Sequence, residues 1–83
     1  MSELSALINL KRLNLQDNQI YRISYFENLK NLEFFNIQNN KLVSCEPLEK
    51  LPIYDLKANN NLITDIEYIT KMPKYQHEWV STY

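Results

Sequence analysis

The stretch LNLQDNQI runs from Leu13 to Ile20, and FNIQNNKL, from Phe35 to Leu42, repeats its skeleton 22 residues later. The apolar places and one asparagine are kept while most other positions change. Laying Leu10, Leu13, Leu15, Asn18, Ile20, Ile23 and Phe26 over Leu32, Phe35, Ile37, Asn40, Leu42, Cys45 and Leu48 matches all seven. Dropping one residue brings in a third copy: Ile53, Leu56, Ala58, Asn61, Ile63, Ile66 and Ile69. Pro52 stands at the register shift, where its fixed backbone changes the approach to the strand. A unit this short cannot bury an apolar face alone, so the pattern predicts units that stack and form a core between them.

Two periodicities follow one another in each unit. RLNLQ and, less cleanly, FFNIQ alternate polar and apolar residues, the period of a strand with one buried face. After the asparagine the spacing becomes three: Ile20, Ile23, Phe26, Leu29, then Leu42, Cys45, Leu48, Leu51, then Ile63, Ile66, Ile69, Met72. A three-residue stripe suits a 3₁₀-like or irregular return better than an α-helix of 3.6 residues per turn. The strands are expected to lie parallel, about 4.8 Å apart. Asn18, Asn40 and Asn61 are expected one above another at the corner, their amides satisfying main-chain groups of the turn or one another.

These readings divide the chain, 1–83, as one domain: a partial repeat at 1–9, repeats at 10–31, 32–52 and 53–74, and a degenerate closing strand or tail at 75–83. Leu4, Leu7 and Leu10 carry the three-residue stripe at the start. At the end Tyr75 is expected where a fourth strand would begin, with Trp79, Val80 and Tyr83 covering the last repeat. Bare terminal strands predict end-to-end self-association or membership in a larger complex.

Composition narrows function by exclusion. The chain has 83 residues and a net charge of −1, with no basic stripe to neutralise phosphates, which argues against nucleic acid as a ligand. No apolar run reaches the ~18 residues that span a bilayer, and MSELSALINL has an acid where a signal peptide wants positive charge, so no membrane association is expected. One cysteine forms no internal disulfide and fits a reducing compartment, and the expected location is cytoplasmic. Glycine is absent, which removes Gly-rich phosphate loops and glycine nucleophile elbows. Asparagine, which tolerates left-handed backbone, keeps tight turns available.

The pattern L-x-x-L-x-L-x-x-N-x-I-x-x-I, carried by LKRLNLQDNQIYRI and LEFFNIQNNKLVSC, resembles the leucine-rich repeat family. Its period and the lead-in NLKNL are similar to the short class found in a nuclear regulatory subunit of protein phosphatase 1 and in bacterial internalins. The resemblance covers about Leu4 to Met72 and is weakest in the third repeat, with its deletion and Ala58 in place of a large aliphatic. It implies an α/β-type repeat solenoid, right-handed, with a parallel concave sheet, an irregular or 3₁₀ convex side, a protein partner and no catalytic apparatus.

On such a scaffold the side chains between the core positions of each strand face the concave side. They form three columns: Arg12, Phe34 and Asp55; Asn14, Asn36 and Lys57; Gln16, Gln38 and Asn59. These nine are the candidate partner-binding residues. Phe34, an aromatic in a polar sheet and flanked by one charge of each sign, is the expected anchor. The amide columns suit either adaptable bonding to a peptide or lateral ladders, and the ladders are favoured because asparagine is also frequent elsewhere.

No catalytic site, metal site or cofactor is expected. Cys45 falls in the apolar stripe and reads as a small buried hydrophobe. His77 belongs to a different part of the predicted scaffold, too far for a thiol–imidazole pair. Asp65 and Glu67 read as a solvated face. The expected function is a non-catalytic protein-binding scaffold; the alternative is a structural subunit held through its ends and its aromatic tail.

Overall fold

The computed structural model describes residues 8–23 and 26–82, and Leu4, Leu7 and Tyr83 of the expected end structures lie outside them. Three short strands occupy the alternating stretches: β1 (Arg12–Asn14), β2 (Phe34–Asn36) and β3 (Asp55–Lys57). A fourth, β4 (Val80–Ser81), follows. Together they form one parallel sheet in the order β1-β2-β3-β4. Arg12 pairs with Phe34 and Phe34 with Asp55, while Asn14 pairs with Asn36 and Asn36 with Lys57. This is the alignment that the repeat and its one-residue deletion require. Main-chain pairing continues past the strands, with Leu15 N–H donating to the Asn36 carbonyl (2.8 Å) and Ile37 N–H to that of Lys57 (2.8 Å).

The stripe spaced by three has a direct cause in the main chain. Phe26 N–H donates to the Ile23 carbonyl, Leu29 to Phe26, Leu48 to Cys45, Leu51 to Leu48, Ile69 to Ile66 and Met72 to Ile69. The last two stripe residues of each return thus bond the one before them, an i to i+3 turn that returns a side chain to the core every third position. Two of the return segments hold 3₁₀ turns at Phe26–Asn28 and Glu46–Leu48. The third differs: Glu67–Thr70 is a single α-helical turn, α1, in which the Thr70 hydroxyl donates to the Glu67 carbonyl (2.8 Å). The corresponding 3₁₀ turn of the second unit carries Pro47 as its middle residue.

The core runs between the sheet and the returns. Phe35, Ile37, Leu42, Cys45, Leu48, Leu56 and Ala58 are all fully buried, and the Phe26 and Phe35 rings meet at 5.3 Å. Leu13, Leu15 and Ile20 of the first unit are only partly buried. Two placements from the sequence are corrected. Ile66, aligned with buried Ile23 and Cys45, is 43% exposed, because no described segment lies over that side of the third unit. The last strand begins at Val80, which pairs with Leu56, and Tyr75 instead ends the return, its N–H on the Met72 carbonyl. Tyr75 and Val80 pack on the core. Trp79, expected to cover it, is 50% exposed in a 3₁₀ turn at His77–Trp79.

Corners without glycine divide their work between two residues. Asp17, Asn39 and Asn60 hold left-handed backbone, with φ of 64°, 58° and 61°, and the asparagine after each one does the bonding. Asn40 Nδ2 donates to the Leu15 carbonyl of the preceding unit (2.9 Å) and to Ile37 and Gln38 of its own (3.0 Å each), while its Oδ1 accepts the Ile20 N–H (2.9 Å). Asn61 repeats this one unit on, donating to Ile37, Ala58 and Asn59 and accepting Leu42 N–H. The column therefore bonds to main chain and not to itself. At the corner itself the side-chain ladder is made by the left-handed residues, Asn60 donating to Asn39 and Asn39 to Asp17.

Candidate protein-binding face

β1, β2 and β3 turn Leu13, Phe35 and Leu56 into the core and present the residues between them on the opposite face. There Arg12, Asn14, Phe34, Asn36, Asp55 and Lys57 line a shallow depression of about 300 Å³. Six of the nine candidates are thus brought together. Phe34 is the centre: the Arg12 guanidinium carbon lies 4.3 Å from its ring centroid, and the Tyr54 ring meets it edge-on at 4.9 Å. Expected as a bare aromatic, Phe34 is half-buried because these two neighbours cover it. A ring held between two neighbours in this way has little rotamer freedom left to lose.

The remaining candidates, Gln16, Gln38 and Asn59, lie in the row nearer the corner and form the lateral ladder. Asn36 donates to Gln16 Oε1 (3.0 Å) and Gln38 to Asn59 Oδ1 (3.1 Å). Asn14 and Asn36 also accept, from the main-chain N–H of Gln16 and Gln38 (3.0 Å each). The Asn36–Gln16 and Gln38–Asn59 bonds link neighbouring strands. Sequence reading missed Tyr54. It stands where Lys11 and Glu33 stand in the other units, and an aromatic in that otherwise charged column was the available signal.

On the far side, Asp65 is not simply solvated as the sequence suggested. It is half-buried, accepting the Ser44 hydroxyl (2.6 Å) and the Cys45 N–H (3.0 Å), which ties the second return to the third. Cys45 is fully buried, and its thiol pKa is pushed up to about 12 by burial, then by the Asp65 carboxylate. The folded thiol binds its proton more tightly than the unfolded one, so that part of the stability is present below pH 9.0 and is lost as pH rises toward about 12. At pH 8 the folded chain should react with iodoacetamide about a thousandfold more slowly than the urea-unfolded chain, from thiolate fraction alone. A rate within tenfold of the unfolded one would show the thiol to be accessible. Among the described residues there is no group of three or more His, Cys, Asp or Glu placed to hold a metal, and no helix long and apolar enough to cross a membrane.

Short parallel strands alternating with returns whose core residues are spaced by three define a repeat protein. The family described as leucine-rich repeats, in two copies, matches residues 8–50, and the chain belongs to the leucine-rich repeat family. It is also similar to a probable disease resistance protein of Arabidopsis thaliana, 38% identical over 79 residues, which cover 89% of this chain and 9% of that protein. The chain thus spans about a tenth of that relative's length. Leucine-rich repeats usually mediate protein–protein interaction and are generally non-catalytic.

Proposed function

We propose that this chain is a non-catalytic protein-binding scaffold, a short right-handed solenoid whose concave sheet docks a protein partner through Arg12, Phe34, Asp55 and Lys57, framed by Asn14, Asn36, Gln16, Gln38 and Asn59. One observation carries the proposal: Phe34 sits in the open depression between Arg12 and Tyr54. Aromatic and arginine side chains at the centre of a surface are the groups that dominate interface energies. One cation on each side of the depression and a single acid beside it favour a partner that brings a carboxylate next to an apolar side chain. The single cysteine supports a cytoplasmic location. The plant relative is matched over about a tenth of its length, the part that aligns with this chain.

The test is capture from native extract with wild type and with a Phe34→Glu, Asp55→Lys double variant, after circular dichroism shows that both are folded. A protein held by wild type and depleted at least about tenfold by the variant, the loss expected for removing one anchor, supports docking on the sheet. Equal recovery with both proteins would overturn it and favour the structural alternative, for which exposed Trp79 is the motivating feature.

A further inference from the structure

Three charges on the open face of the sheet are unspent. Among the described residues the side chains of Arg12, Asp55 and Lys57 make no hydrogen bond or ion pair, although Asp55 and Lys57 stand two apart on one strand. The charged end of Arg12 lies over the Phe34 ring, 4.3 Å from its centroid. A guanidinium held against a ring keeps its N–H donors for a carboxylate, which it can take two bonds at a time. Arg12, Phe34 and Asp55 pair in register across β1, β2 and β3. Cation, ring and acid therefore stand in one line across the strands, about 4.8 Å from each to the next and about 10 Å from end to end.

We infer, on the strength of the docking role proposed for this face, that its occupant is an α-helix of the partner laid across the strands, of the form acid-x-x-aliphatic-x-x-x-base. The acid meets Arg12, the aliphatic meets Phe34 and the base meets Asp55. Complementary charge gives the order, and spacing gives the helix. In an extended segment the side chains of one face recur about every 6.8 Å, so the second falls short of Asp55 and the third, at about 13.5 Å, passes it. In an α-helix the residue three on has risen about 4.5 Å and the residue seven on about 10.5 Å, and both return to the face they started from. The acid leads because a carboxylate is favoured at the amino-terminal end of a helix and a cation at the other. A face with one sign at each end of its line also rejects helices that carry the same sign at both.

The probe is a phage library of alanine-based helices of about 18 residues, long enough to hold helical structure, randomised at those three positions and selected on the whole protein. Acid, aliphatic and base are expected in that order from wild type. Arg12→Glu should replace the acid by a base, and Asp55→Lys the base by an acid, each variant being shown to be folded by circular dichroism. By fluorescence anisotropy, the peptide that wild type selects should bind Arg12→Glu and Phe34→Glu at least about tenfold more weakly. A proline between its anchors should abolish binding. The inference is overturned by absence of any selected binder, by selection without regard to charge, by preferences that Arg12→Glu and Asp55→Lys leave unchanged, or by equal binding of the proline peptide. The capture experiment judges the docking role of the sheet separately, since it asks for neither a helix nor an order of charges.

Discussion

Asn40→Ala is expected to be among the most destabilising single substitutions in the chain. Asn40 is 7% exposed, and removing its amide strips bonds from Leu15, Ile20, Ile37 and Gln38 together. Leaving a buried polar group without a partner costs about 1–3 kcal/mol, and with some replacement by water the loss should be about 3–5 kcal/mol. A chain of this size is stable by roughly 4–12 kcal/mol, so the variant should be near unfolding at physiological temperature. Asn18→Ala is the matched control. Its amide serves only two exposed carbonyls of its own unit, Leu15 and Gln16, and its loss should be about 0.5–1 kcal/mol. Urea unfolding followed by far-ultraviolet circular dichroism measures both, and equal losses would show that the bonds between units carry no extra weight.

The second large effect is Phe35→Ala. Phe35 is fully buried against Phe26, and cutting a buried phenylalanine to alanine costs about 3–5 kcal/mol. The same position in the other units should grade by burial. Leu56→Ala, also fully buried, falls at about 2–5 kcal/mol, and Leu13→Ala, only half-buried, at about 1–2 kcal/mol. A Leu13 loss as large as that at Leu56 would mean that the first unit is covered as fully as the third.

The sheet was legible in the sequence because register and burial are both periodic. Arg12, Phe34 and Asp55 pair as the repeat aligns them, since a one-residue slip would turn every core side chain outward. The same alignment placed the members of the candidate face in their columns. Contacts between columns are not periodic and were not legible: Tyr54 against Phe34 joins two different positions of the unit. Nor does spacing reveal exposure at an end. Ile66 has the residue type and the place of a core position, and only the chain laid over it decides whether it is one. The left-handed backbone at Asp17, Asn39 and Asn60 was hidden for another reason, because the neighbouring asparagine offered the same conformational tolerance and stood in the better-matched column.

The backward reach of the corner asparagines sets an order on the chain as it is made. The Ile20 N–H waits for Asn40, 20 residues behind it, and Leu42 waits for Asn61. During synthesis each corner leaves the ribosome before the residue that completes it, so a unit becomes whole only as its successor emerges. The nascent protein consequently matures from its amino terminus with a lag of about one unit, and always carries one incomplete corner at its growing end.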